Sequence, residues 1–85
     1  MKHAGSATLS LLEPLLRQLR TYERLTERKP GTFYLKSKAF LHFHEDPAGI
    51  FADVKLDLEN FTRMRATSSL EQSALLAAIA RCLER

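Results

Sequence analysis

Apolar residues recur at Leu11, Leu12, Leu15, Leu16, Leu19 and Tyr22, three and four apart, which is the period of an amphipathic helix. Ser10-Leu11-Leu12-Glu13 has the form of a capping box, but it would put Pro14 at the fourth helical position, and proline prefers the first. The helix therefore starts either at Ser10 or nearer Glu13. Residues 1–9 are small and polar without a period and read as a flexible N-terminus; residues 10–85 read as a single domain. Lys29-Pro30-Gly31 breaks the helical pattern, and the period then changes to two. Phe33 and Leu35 alternate with Thr32, Tyr34 and Lys36, and a polar break at Lys36–Lys38 leads into Ala39–His44. Asp46-Pro47-Ala48-Gly49 is a turn, Ile50–Leu56 another strand, and Phe61–Arg65 a short last one. Residues 24–28 can add a first edge strand, although Glu and Arg are poor strand formers. Ser68-Ser69-Leu70-Glu71 caps a closing helix with a stripe of Leu75, Ala78, Ile79 and Cys82, and Arg81 and Arg85 suit its C-terminal dipole. The expected fold class is α+β: helix, antiparallel meander of three to five strands, helix, with both helices on one face of the sheet.

Parity assigns the faces. A four-residue loop at Asp46–Gly49 pairs Glu45 with Ile50, His44 with Phe51, Phe43 with Ala52, His42 with Asp53, Leu41 with Val54 and Phe40 with Lys55. Ala39, Leu41, Phe43, Ala52, Val54 and Leu56 then form an apolar face for the helices. A three-residue turn at Lys36–Lys38 adds Phe33 and Leu35 to it, and the last strand adds Thr62, Met64 and Ala66. The opposite, open face carries Tyr34, Lys36, Phe40, His42, His44, Phe51, Asp53, Lys55, Arg63 and Arg65, with Phe61 beside them. A merely solvated face would carry Thr, Lys and Glu, so apolar surface gathered in this way points to a partner.

The 85 residues allow one small domain, and a single cysteine excludes an internal disulfide and any zinc site built on two thiolates. No apolar run approaches the roughly 20 residues of a membrane span. These features suggest a soluble protein of a reducing compartment, the cytoplasm. Thirteen Lys and Arg against ten Asp and Glu give a net charge of +3, too small to argue for nucleic acid by itself. The charge is unevenly spread, with a basic stretch from Arg17 to Lys38 and an acidic one from Glu45 to Glu59.

Three uses of the open face follow. Aromatics outside an adequate core suit a protein interface, most simply between two copies of this chain, and a small non-catalytic interaction module is the first reading. Tyr34, Phe40 and Phe51 as stacking platforms, with Lys36, Lys55, Arg63 and Arg65 on phosphates, would bind single-stranded or duplex nucleic acid. His42 and His44, two apart on one strand and facing Asp53, would make a weak divalent-metal site. A nucleophile in a recognisable setting and a Gly-rich phosphate loop are both lacking, so no enzyme activity and no cofactor is expected.

Lys29 to Leu56, KPGTFYLKSKAFLHFHEDPAGIFADVKL, resembles a group of short bacterial proteins with an FLHFHED core. More distantly, the element order and the Phe-Tyr-x-Lys-x-Lys-x-Phe strand resemble the YjbR-type family over Glu27 to Leu83. That resemblance implies a CyaY-like, double-wing α+β fold in a cytosolic bacterial protein, with DNA binding suggested for the family on fold grounds. This chain is shorter than the family pattern and lacks a clear later strand pair. Its first helix carries Arg17, Arg20 and Arg24 where a frataxin-like iron site would need acidic residues.

Overall fold

The meander of paired strands starts at Leu25, one strand ahead of the change of period after Lys29. A computed structural model describes residues 1–84. Its elements are β1 (Lys2–His3), α1 (Ser6–Leu11), α2 (Glu13–Leu19), β2 (Leu25–Lys29), β3 (Thr32–Leu35), β4 (Lys38–Asp46), β5 (Gly49–Val54), β6 (Thr62–Arg65) and α3 (Ser69–Leu83). The fold is α+β, with β2 to β6 adjacent in sequence order and β1 paired to β4, all antiparallel. Arg85, expected in the last turn of the closing helix, lies outside the described residues.

The β4–β5 hairpin holds the register expected from parity, from Leu41↔Val54 through His42↔Asp53 to Glu45↔Ile50. One further pair, Asp46↔Gly49, shortens the loop to Pro47-Ala48. Gly49 there has φ +138°, and a Cβ would lie 2.5 Å from the Thr67 hydroxyl, so both backbone and space demand glycine. On the far side β6 places Met64 opposite Ala52 and Arg63 opposite Asp53, the expected parity; of the three residues expected in the core, Ala66 is buried, Met64 half-buried and Thr62, on the edge strand, exposed.

The β3–β4 connection differs from expectation. Leu35 pairs with Lys38, so the turn is Lys36-Ser37, two residues instead of three. Phe33 still pairs with Leu41, because an extra residue, Phe40, bulges out of the ladder between Ala39 and Leu41. One residue has moved from the turn into the strand. The exchange leaves everything after Leu41 in place and inverts what precedes it. Ala39, expected in the core, pairs with Tyr34 on the other face, and Phe40, expected on the open face, is 1% exposed inside the core.

Residues 1–9, read from sequence as a flexible arm, hold β1 and the first part of α1. Glu45 fixes this segment: its carboxylate accepts from the Gly5 backbone N–H at 2.7 Å and from the Thr8 hydroxyl at 2.8 Å. The expected first helix is two helices, broken at Leu12, with Pro14 in the first turn of α2, where a missing N–H costs nothing. β2 makes the edge strand that residues 24–28 allowed. At α3 the capping box is complete, Ser68 and Glu71 each bonding the other's backbone N–H. Leu15, Leu16 and Leu19 of α2 and Leu75, Ile79 and Cys82 of α3 share one buried cluster with Phe33, Leu41, Phe43, Ala52 and Val54 of the sheet. Among the described residues no helix is long and apolar enough to cross a membrane.

Candidate metal centre

The chain contains three histidines, and the fold brings all three together. His42 and His44 share a face because strand side chains alternate. β1 pairs His3 with His44, which carries the third imidazole onto that face from 41 positions away in sequence. The His3 ring stacks on His44 with centroids 4.8 Å apart, and His42 meets His44 edge-on at 4.7 Å. One nitrogen from each ring lies within 4.8 Å of the others. Tetrahedral zinc with Zn–N bonds of ~2.05 Å holds its donors about 3.3 Å apart, so modest side-chain rotations close the set. His3 is exposed and sits on a two-residue strand, so it is the ring that has room to move.

Two of the nitrogens are buried without a hydrogen-bond partner, Nδ1 of His42 and Nε2 of His44. Buried polar atoms are nearly always paired, so the orphaned Nδ1 of His42 inside a cluster of imidazoles is a signal for a ligand. Nε2 of His44 is 3.1 Å from Oδ2 of Asp53, close enough for an ion pair with a protonated ring but not aligned for a hydrogen bond. Asp53 is itself buried and is held by Arg63, whose Nε and Nη2 donate to its two oxygens at 2.8 and 2.9 Å. This pairing keeps the Asp53 carboxyl below its ordinary value, the Arg63 hydrogen bonds outweighing burial. Burial, helped by the neighbouring His44, pushes His42 below the ordinary histidine value and favours its neutral form. A neutral ring is the form that ligates a metal. Phe61 covers the centre from one side, its ring edge-on to His42 at 4.9 Å. On the other side a cleft of about 470 Å³, walled by Tyr34, Ala39 and Thr32, opens beside His3 and His42.

The remaining residues expected on this face are dispersed or already engaged. Tyr34 lies under the Arg28 guanidinium at 4.5 Å and Phe51 under that of Arg65 at 5.1 Å. The Lys55 ammonium sits 4.9 Å from the Phe61 ring. Arg65 also bonds Glu71 at 3.1 Å and the Ala48 carbonyl at 3.0 Å. Lys36 is in the turn, off the sheet face, and Phe40 is in the core. The expected set of His42, His44 and Asp53 is brought together, but Asp53, though directly opposite His42, leans toward His44. Sequence reasoning missed His3, for which no periodicity gives a signal; the one available hint was that it is the chain's only other histidine. No family model matches this chain, and no curated protein or solved structure matches it.

Proposed function

We propose that this protein binds one divalent transition-metal ion through His3, His42 and His44, with Asp53 orienting His44 from behind. The observation that carries the reading is the convergence of every histidine in the chain on one point, with the buried Nδ1 of His42 left unpartnered there. An all-imidazole donor set favours zinc, copper or nickel over magnesium or calcium, which prefer oxygen. A carboxylate on the second nitrogen of a ligating imidazole is the usual support for such a ligand; with Asp53 beside Nε2, His44 would ligate through Nδ1, and Arg63 holds Asp53 in place. Three protein donors leave a fourth position of a tetrahedral centre for water or a partner's side chain. The reading takes the helices to lie together over the opposite face of the sheet, which the shared buried cluster supports.

The interface and nucleic-acid readings have less support. Of the four aromatics that motivated them, Phe40 is inside and the other three, Tyr34, Phe51 and Phe61, each lie against a cationic side chain. Self-association through this face is the second proposal, carried by Phe61, which stays 43% exposed.

The test is titration with Zn²⁺, and with Co²⁺ as a visible probe, on wild type, His3→Ala and His42→Ala. At a hundredfold excess over Kd, metal should stabilise by about 2.7 kcal/mol, which is roughly 10–20 °C in Tm for a domain of this size. Cobalt should give intense tetrahedral d–d bands. Each substitution should weaken binding by about a hundredfold or more. A Tm unchanged by metal, or an equal rise in both variants, would remove the proposal. Light scattering on the same samples, with and without metal, tests self-association.

A further inference from the structure

A second site stands apart from the histidines, where the β3–β4 turn meets the loop after β5. A cleft of about 200 Å³ there is rimmed by Arg24, Lys36, Lys38 and Lys55. Its floor is apolar, formed by Leu35, Phe40 and Leu58. Four cations from three segments of the chain converge on it, and no acidic side chain lines it. None of the four makes an ion pair among the described residues, although the Lys55 ammonium rests against the Phe61 ring. Arg24 donates to the carbonyl of Leu83 at the C-terminal end of α3, whose dipole offsets part of its charge. The Asp57 carboxylate nearby is turned into its own loop, accepting from the backbone N–H groups of Glu59 and Asn60, each at 2.8 Å. Like charges gathered over an apolar floor repel one another, and that cost is recovered when an anion binds among them.

Backbone strain falls in the same place. Among the described residues, the non-glycine positions with positive φ are Lys36 at 52°, Ser37 at 68° and Leu58 at 67°. Lys36 and Leu58 line the cleft, and Ser37 completes the turn that presents Lys36 and Lys38. A two-residue hairpin of this hand ordinarily uses Asn-Gly, which has little or no such cost. A lysine there gives up stability and adds one charge at the rim, as strained residues at binding sites do.

We propose that this cleft binds a small organic anion: one phosphate or carboxylate group carried on a short apolar body. The anion would sit among the four cations and the body on the Phe40–Leu58 floor. A cleft of about 200 Å³ has room for a body such as one phenyl ring. The site is independent of the metal centre.

The test follows backbone amide shifts during titration with phenyl phosphate and with benzoate, using inorganic phosphate and phenol as controls. Saturable shifts are expected at residues 35–40, 55 and 58, with Kd about millimolar for a ligand of this size. Inorganic phosphate and phenol should each bind about tenfold more weakly or worse, and the tighter of the two organic anions identifies the preferred head group. Lys36→Gln combined with Lys38→Gln should weaken binding about tenfold or more at unchanged Tm, since both residues are exposed. Lys36→Gly should weaken binding while raising Tm, because glycine relieves the positive φ. His42→Ala should leave binding unchanged, which separates this site from the metal centre. The proposal is overturned if neither anion gives saturable shifts at these residues by about 10 mM. It is equally overturned if inorganic phosphate alone does as well, or if the double lysine variant binds like wild type.

Discussion

Replacing Phe40 distinguishes the bulged strand from the simple hairpin that parity alone suggests. With a three-residue turn, Phe40 would face away from the helices and its loss would be mild. With the bulge, Phe40 is 1% exposed and among the largest fully buried side chains. Truncating such a phenylalanine to alanine costs about 3–5 kcal/mol, the lost transfer energy plus the cavity left behind. An 85-residue domain at ~0.05–0.15 kcal/mol per residue has about 4–13 kcal/mol in total. Phe40→Ala therefore removes a large share, and near the lower end of that range the variant is mostly unfolded. Phe40→Leu keeps the site apolar and costs about 1–1.5 kcal/mol, so it stays measurable. With a urea m-value of roughly 1 kcal/mol/M, the midpoints should fall by about 3 M or more for Phe40→Ala and about 1 M for Phe40→Leu.

Phe51→Ala is the internal comparison. Phe51 is half-buried on the histidine face beneath Arg65, so its loss removes partial burial and one cation–π contact, about 1–2 kcal/mol together. The expected order is Phe40→Ala far below Phe51→Ala, by about 2 kcal/mol. If both Phe40 variants unfold within ~0.5 kcal/mol of wild type while Phe51→Ala is the more damaging, the bulge is wrong and the three-residue turn is right.

Glu45→Gln should speed amide exchange at Gly5 while leaving the global unfolding midpoint nearly unchanged, because Glu45 ties the N-terminal segment and not the core. The Glu45 carboxyl is held below its ordinary 4.5, chiefly by the Gly5 N–H and then by the Thr8 hydroxyl. Its contribution is thus fully present above that pH and is lost as pH falls through the lower folded value; wild-type Gly5 should loosen in acid and the variant should show no such step. Asp53→Asn should weaken zinc binding by about 10–100-fold in calorimetric titration, as loss of a group supporting a ligand does; unchanged affinity would make Asp53 a partner of Arg63 alone. Ser68→Ala should cost about 1 kcal/mol and lower Tm by roughly 4–8 °C, and a Tm within a degree of wild type would mean the cap at α3 is dispensable.

What the sequence made legible follows the strength of its periods. The β4–β5 register was readable because a one-residue slip would turn His42 and Asp53 onto the apolar face and Leu41 and Val54 off it. The α3 start was readable because a capping box has a local signature. The β3–β4 turn was not, since Lys36-Ser37-Lys38 holds none of the residues that announce a two-residue hairpin. Without that signal, Phe40 and Leu41, both apolar and adjacent, give parity no way to choose which one leaves the ladder. β1 was invisible for a different reason: two residues carry no period, and their pairing with β4 is set by Glu45, some forty residues downstream.

The two features hidden from parity are those on which the two proposed sites depend. The bulge turns Phe40 inward, where it floors the cationic cleft, and the shortened turn raises Lys36 and Lys38 to its rim. β1 supplies the third imidazole, and its short pairing means that the proposed metal centre is complete only while the N-terminal segment is docked. Metal affinity and docking of that segment are then one equilibrium seen from two sides. Whatever energy His3 contributes to metal binding also holds β1 on β4, so metal tightens docking by the same factor by which docking tightens metal. A site assembled from side chains of β4 alone would carry no such linkage. The coupling, more than the bare presence of three histidines, is what separates a metal centre built into this fold from imidazoles that happen to be neighbours.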